Sequence, residues 1–160
     1  MHDKKETLTS LVKEFKLNKE AGKKFIIDGK DLIKKFMTSM FIKDLKNCPE
    51  IIAGDKTILR EFLHPGKDKI DLQLRYSLAH ALVKAGATSS PHKLKTSEVY
   101  YILEGEGVMY INDESAIVRP GQVVYIPPSA KQYIHNSGHS DLKFLCIVDP
   151  AWRAEDEEIL

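Results

Sequence analysis

The stretch Gly86-Ala87-Thr88-Ser89-Ser90-Pro91-His92-Lys93-Leu94-Lys95-Thr96-Ser97-Glu98, running on through Val99-Tyr100-Tyr101-Ile102-Leu103-Glu104 to Gly105, decides how this chain is read. Gly and Pro punctuate its first half, a β-branched and aromatic run fills the second, and that run stops at a glycine. This is the texture of a strand bounded by turns. Side chains two apart on a strand point the same way, so positions 92 and 94 share a face, as do Glu98 and Tyr100.

The same texture holds from Ile58 onward, where β-branched and aromatic residues alternate with polar ones between Gly and Pro. Strands are expected near Ile58–Leu63, Asp71–Lys84, Glu98–Glu104, Gly107–Asn112, Ala116–Arg119, Val123–Ile126, Gln132–His135 and Leu142–Val148. Asn112-Asp113 and Asn136-Ser137-Gly138 supply turn chemistry between them. Many short strands joined by tight turns predict a mainly β sandwich or barrel.

The N-terminal part reads differently. Leu8, Leu11, Val12 and Phe15 fall at i, i+3, i+4 and i+7, which predicts an amphipathic helix over Lys4–Leu17, and Asp31–Met37 suits a second short one. The chain is thus divided into a helical extension over 1–40 and a β domain over 41–160. Across Met1–Met37 ten Lys stand against six Asp or Glu, a pattern read first as a solvated helix face and second as a contact with an acidic surface such as Glu155–Glu158.

The whole chain of 160 residues carries a net charge of +1 with 29% charged and 42% hydrophobic residues, so no global field draws it to nucleic acid. No run approaches the roughly 18 apolar residues of a membrane span. Cys48 and Cys146 lack the spacing of a zinc knuckle or a redox pair, which fits a reducing compartment. The expectation is a cytoplasmic protein without nucleic-acid or membrane partners.

Downstream of the opening stretch, Gly121-Gln122-Val123-Val124-Tyr125-Ile126-Pro127-Pro128-Ser129-Ala130-Lys131-Gln132-Tyr133-Ile134-His135-Asn136 spans the strands expected at Val123–Ile126 and Gln132–His135. The first stretch resembles the first motif of the cupin superfamily, G-x5-H-x-H-x3-E-x6-G, at Gly86, His92, Glu98 and Gly105. The second resembles the second cupin motif, G-x5-P-x-G-x2-H-x3-N, at Gly121, Pro127 and Asn136. The resemblance covers about Ile58–Pro150 and implies a single-domain double-stranded β-helix, the jelly-roll barrel. It further implies a homodimer whose barrel mouth holds a metal and a small molecule.

Two of the usual ligand histidines are replaced, the second His of the first motif by Leu94 and the His of the second by Gln132; Ser129 stands for a turn glycine. What remains for a metal is His92, Glu98 and Gln132. Imidazole and carboxylate suit Zn, Mn, Fe or Ni, whereas an amide oxygen is a weaker donor. His135 lies an odd number of strand positions from Gln132 and should face outward.

By the same resemblance the small-residue face of Ser77, Ala79 and Ala81 turns into the barrel, which sends His80 outward, and Phe144 and Cys146 turn toward the pocket. A small buried hydrophobe is the plainer reading of Cys146. Tyr100 shares parity with Glu98 and serves either the cavity or the core. His64 and His139 read as surface residues. Leu72, Leu74, Tyr76, Leu78 and Leu82 give the long strand an apolar outer face, which a subunit partner would cover.

Two functional readings follow. In the first, the pocket binds a sugar or a small carboxylate and processes it as a metal-assisted isomerase does, with Glu98 moving a proton. In the second, it is a metal-free binding or sensing module in which Leu94 dries the site and Gln132 hydrogen-bonds the ligand.

Overall fold

The computed structural model describes residues 40–160. The two expected helices lie outside the described residues. A unit over Phe41–Leu160 holds eleven strands: β1 (Glu50–Ile52), β2 (Ile58–Leu63), β3 (Ser77–Val83), β4 (His92–Leu94), β5 (Ser97–Glu104), β6 (Gly107–Ile111), β7 (Glu114–Val118), β8 (Val123–Ile126), β9 (Gln132–His135), β10 (Leu142–Asp149) and β11 (Glu157–Ile159). They form a six-stranded sheet in the order β1-β2-β3-β10-β5-β8 and a five-stranded sheet in the order β11-β4-β9-β6-β7. Every pairing is antiparallel. This is the jelly-roll barrel that the two motifs implied.

The core follows from period-two alternation. On β10, Leu142, Phe144 and Val148 are buried while Lys143, Leu145 and Ile147 face the other way. Ile102 and Ile126 bury from the same sheet, and Met109 and Ile134 meet them from the other. Asn112, at φ 52, closes the two-residue hairpin between Ile111 and Glu114, as its turn chemistry predicted.

One expected strand is shorter than its periodicity suggests. The periodicity of Asp71–Lys84 predicts one strand, but β3 begins only at Ser77, where its pairing with both neighbours ends: Leu63 of β2 pairs with Leu78, and Val148 of β10 pairs with Ser77. Residues before Ser77 alternate correctly yet have no ladder to join, and a strand without a partner is not a strand. Leu72, Leu74 and Tyr76 are half-buried outside any sheet.

His64 also departs from its reading as a surface residue, being only 6% exposed. The Pro65-Gly66 turn folds the chain over its ring. The Gly66 N–H donates to Nδ1 at 3.1 Å, and Nε2 then donates to the Trp152 carbonyl at 2.9 Å. The ring thereby fastens the end of β2 to the C-terminal segment. No helix among the described residues is long and apolar enough to cross a membrane.

Candidate functional site

The first motif is held in place by backbone hydrogen bonds to the second. The N–H of Gly86 donates to the Asn136 carbonyl, Asn136 returns a bond to Ala87, and Ser89 donates to Ile134. Gly86 and Gly105 both sit at positive φ, where glycine is unstrained. At Gly105 a Cβ would also come within 2.7 Å of the Asp141 carbonyl oxygen. Asn136 is fully buried; its amide donates to Val83 and Ser140 carbonyls at 2.8 Å and its oxygen accepts from Gly138. These frame positions are structural, and they bring β4 and β9 together with His92 opposite Gln132.

Across the barrel, Glu98 and Tyr100 project from β5, with Tyr100 paired to Cys146 of β10. Glu98 is 4% exposed and both its oxygens are engaged. Gln132 donates from Nε2 to Oε2 at 2.5 Å, and the Cys146 thiol donates to Oε1 at 2.7 Å. Tyr100 donates its hydroxyl to Gln132 Oε1 at 3.3 Å. The amide nitrogen of Gln132 thus meets Glu98 and its oxygen meets the Tyr100 hydroxyl.

Burial pushes the Glu98 carboxyl above its usual range, and the bonds from Cys146 and Gln132 and the nearby His92 only partly oppose it. Burial, followed by the charge of Glu98, raises the Tyr100 phenol and the Cys146 thiol well above theirs. Both therefore stay protonated at neutral pH and act as donors; Cys146 is no thiolate nucleophile.

His92 is buried, and its Nδ1 lies 3.0 Å from the Ser90 carbonyl. A carbonyl can only accept, so Nδ1 carries a proton. Asp55 Oδ2 stands 3.9 Å from the same Nδ1.

Asp55 is a site residue that the sequence reading missed. A turn with Lys56 at φ 72 presents it, Thr57 bonds it through both N–H and hydroxyl, and its own carbonyl accepts from Ser90. The Asp-Lys-Thr turn was legible, but nothing local says which face of the barrel it closes. Glu157, Glu61 and Trp152 were missed as well. Glu157 arrives because β11 pairs with β4, setting Glu157 opposite Leu94, whereas the acidic run in the sequence read as surface.

These residues line a cavity of about 220 Å³. Ser77, Ala79 and Ala81 form one wall, and Leu94, Phe144 and Cys146 also line it, together with His92, Glu98 and Tyr100. Gln132 stands behind Glu98 and does not line it. His80, half-buried on the opposite face of β3, is outside, with its pKa lowered by burial first and then by the charges of Lys143 and Arg60. His135 bonds Thr88 at 2.8 Å, away from the cavity, and His139 is exposed.

The donor set does not suit a transition metal. Leu94 supplies no ligand, Gln132 directs its amide nitrogen at Glu98 and its oxygen at Tyr100, and both Glu98 oxygens already accept hydrogen bonds. Among the described residues no three His, Cys, Asp or Glu side chains are grouped to hold an ion. Of the four motif positions, the His92 ring alone is left with a nitrogen that meets no protein partner among the described residues.

The Cupin domain family matches residues 79–148. An uncharacterised protein of Methanocaldococcus jannaschii is 44% identical over 110 residues, 68% of this chain and 86% of that protein. An oxalate-binding protein of Thermotoga maritima is 37% identical over 122 residues, 69% of this chain and 94% of that one. Among solved structures, a predicted oxalate decarboxylase of Thermotoga maritima superposes with a TM-score of 0.60 at 20% identity, covering 69% of this chain and 99% of that one. A nucleoside dehydratase, Pac13 of Streptomyces, gives 0.61 at 15% identity, covering 76% and 92%. The chain is a member of the cupin superfamily.

Proposed function

We propose that this cupin binds a small polar molecule in the barrel cavity and acts on it through hydrogen bonds and a proton held at Glu98, without a resident transition metal. The observation that carries the reading is the engagement of both Glu98 oxygens by Gln132 and Cys146 inside a buried network. That network satisfies the polar groups a metal would otherwise coordinate. A carboxyl whose pKa is raised by burial is a group suited to holding and passing a proton. The oxalate-binding relative supports a small polar ligand.

Leu94→His tests the reading. It completes an i, i+2 pair with His92 on β4, so affinity for Ni(II), measured calorimetrically after chelator treatment, should rise on the order of tenfold or more from a weak wild-type value. Wild-type protein that holds close to one ion per subunit, and loses it on His92→Ala, would sink the metal-free reading in favour of a site with Gln132 as ligand.

A further inference from the structure

The class of ligand can be narrowed, resting on the small-molecule reading above, by asking which lining groups the protein has already satisfied. Asp55 accepts from Thr57 at both oxygens, Oδ1 from the N–H at 3.0 Å and Oδ2 from the hydroxyl at 2.6 Å. Glu98 is engaged by Gln132 and Cys146, Tyr100 by Gln132, and Glu61 by Lys67 at 2.8 Å. The hydrogen bonds of these groups run within the protein. Between them, Leu59, Ala79, Ala81, Leu94, Phe144 and Val148 make the wall mainly hydrocarbon.

Three polar lining side chains keep a hydrogen-bonding position open among the described residues. His92, its side chain 5% exposed, lines the cavity with Nδ1 at the Ser90 carbonyl, so Nε2 is the nitrogen left to a ligand. Ser77 Oγ accepts from the Trp152 N–H at 3.1 Å and has its own proton to give. Glu157, half-buried on β11, contributes a carboxylate. Nε2 donates or accepts according to its protonation, the Ser77 hydroxyl donates, and the carboxylate accepts. A hydroxyl answers all three, because one oxygen carries both a proton and lone pairs.

A charged head group, by contrast, would leave its water for a mainly apolar wall, at a far larger desolvation cost than a hydroxyl meets. Size sets the other limit. A dry cavity of roughly 150 Å³ admits benzene, so the cavity of about 220 Å³ takes a six-membered ring with one small substituent. We infer that the cavity takes a neutral alcohol with a compact hydrocarbon body, its hydroxyl at His92 Nε2 and its ring against Ala79, Ala81 and Phe144.

Trp152 lines the cavity and is the single tryptophan of the chain, so its fluorescence reports filling directly. The test titrates the full chain, after chelator treatment and at neutral pH, with three probes that share one ring: cyclohexanol, cyclohexylammonium and cyclohexanecarboxylate. Oxalate with and without Mn(II) is a fourth arm. Cyclohexanol should bind about tenfold or more tighter than either ring-bearing ion, and tighter than oxalate. His92→Phe, which keeps a ring but loses the nitrogens, should weaken cyclohexanol about fivefold, the worth of one hydrogen bond. Ala79→Leu, which fills the cavity and leaves His92 in place, should abolish its binding.

An ion bound as tightly as cyclohexanol, or cyclohexanol binding that survives both His92→Phe and Ala79→Leu, overturns the assignment of a neutral alcohol. Where the tighter ligand is an ion or oxalate and its binding is lost on Ala79→Leu, the small-molecule reading still stands. Silence from every probe, with and without Mn(II), overturns both.

Discussion

At the scale of single residues, two positions carry energetic consequences that the motifs alone do not state. Glu98 is an acid whose folded-state pKa lies above its unfolded value because it is buried. Its contribution to stability is therefore fully present below the ordinary carboxylate range and is lost as pH rises through the raised value. Glu98→Gln keeps the neutral shape, so its melting temperature should stay flatter from acid to neutral pH and exceed that of the wild type at the upper end. Thermal melts across that range check this; a wild type that gains on the variant as pH rises refutes it. Ser129 holds φ 62 where the second motif usually has glycine. A left-handed residue with a Cβ costs about 1 kcal/mol, so Ser129→Gly should stabilise the protein by about that amount in urea unfolding. An unchanged or lowered midpoint would show that the Ser129 backbone is not strained.

At the scale of elements, the site exists because β4 and β9 meet, and the loop that aligns them depends on Asn136. Its amide and oxygen satisfy Val83, Ser140 and Gly138 at once in a fully buried position. Asn136→Ala leaves these groups without partners and should cost about 1–3 kcal/mol for the first unsatisfied group, with more for the others. Denaturant unfolding measures it; a loss well under 1 kcal/mol would mean that water replaces the side chain. β11 matters in another way. By pairing with β4 it forms one edge of the five-stranded sheet and delivers Glu157 to the cavity, so β11 belongs to the site.

At the scale of the whole molecule, a homodimer is the expected assembly. The apolar stripe of Leu72, Leu74 and Tyr76 lies outside β3 and is half-buried within the subunit. Among the described residues, the edge strand β8 exposes one apolar surface, where Val123 and Tyr125 are 64% and 61% exposed, beside Tyr101 and Leu103 of β5. Exposed apolar edges invite pairing. Light scattering should return twice the chain mass at micromolar concentration, and Val123→Lys combined with Tyr125→Lys should shift it to the monomer. A wild-type monomer would refute the assembly. The barrel, its hairpins and the strands carrying Glu98 and Gln132 could be read from the sequence because alternation and turn residues are local signals, set by side-chain period and backbone φ. Replacement of ligand histidines by Leu94 and Gln132 was equally plain. Where β3 starts, that His64 is buried, and that Asp55, Glu61, Trp152 and Glu157 close the cavity were decided only by tertiary structure. Each depends on which distant segment lies alongside: Leu63 and Val148 end the ladder of β3, Trp152 receives His64, and β4 receives β11. A one-dimensional pattern fixes the face on which a residue lies, but its charge environment and partners come from chain segments far away in sequence, and those are known only once the two sheets have packed.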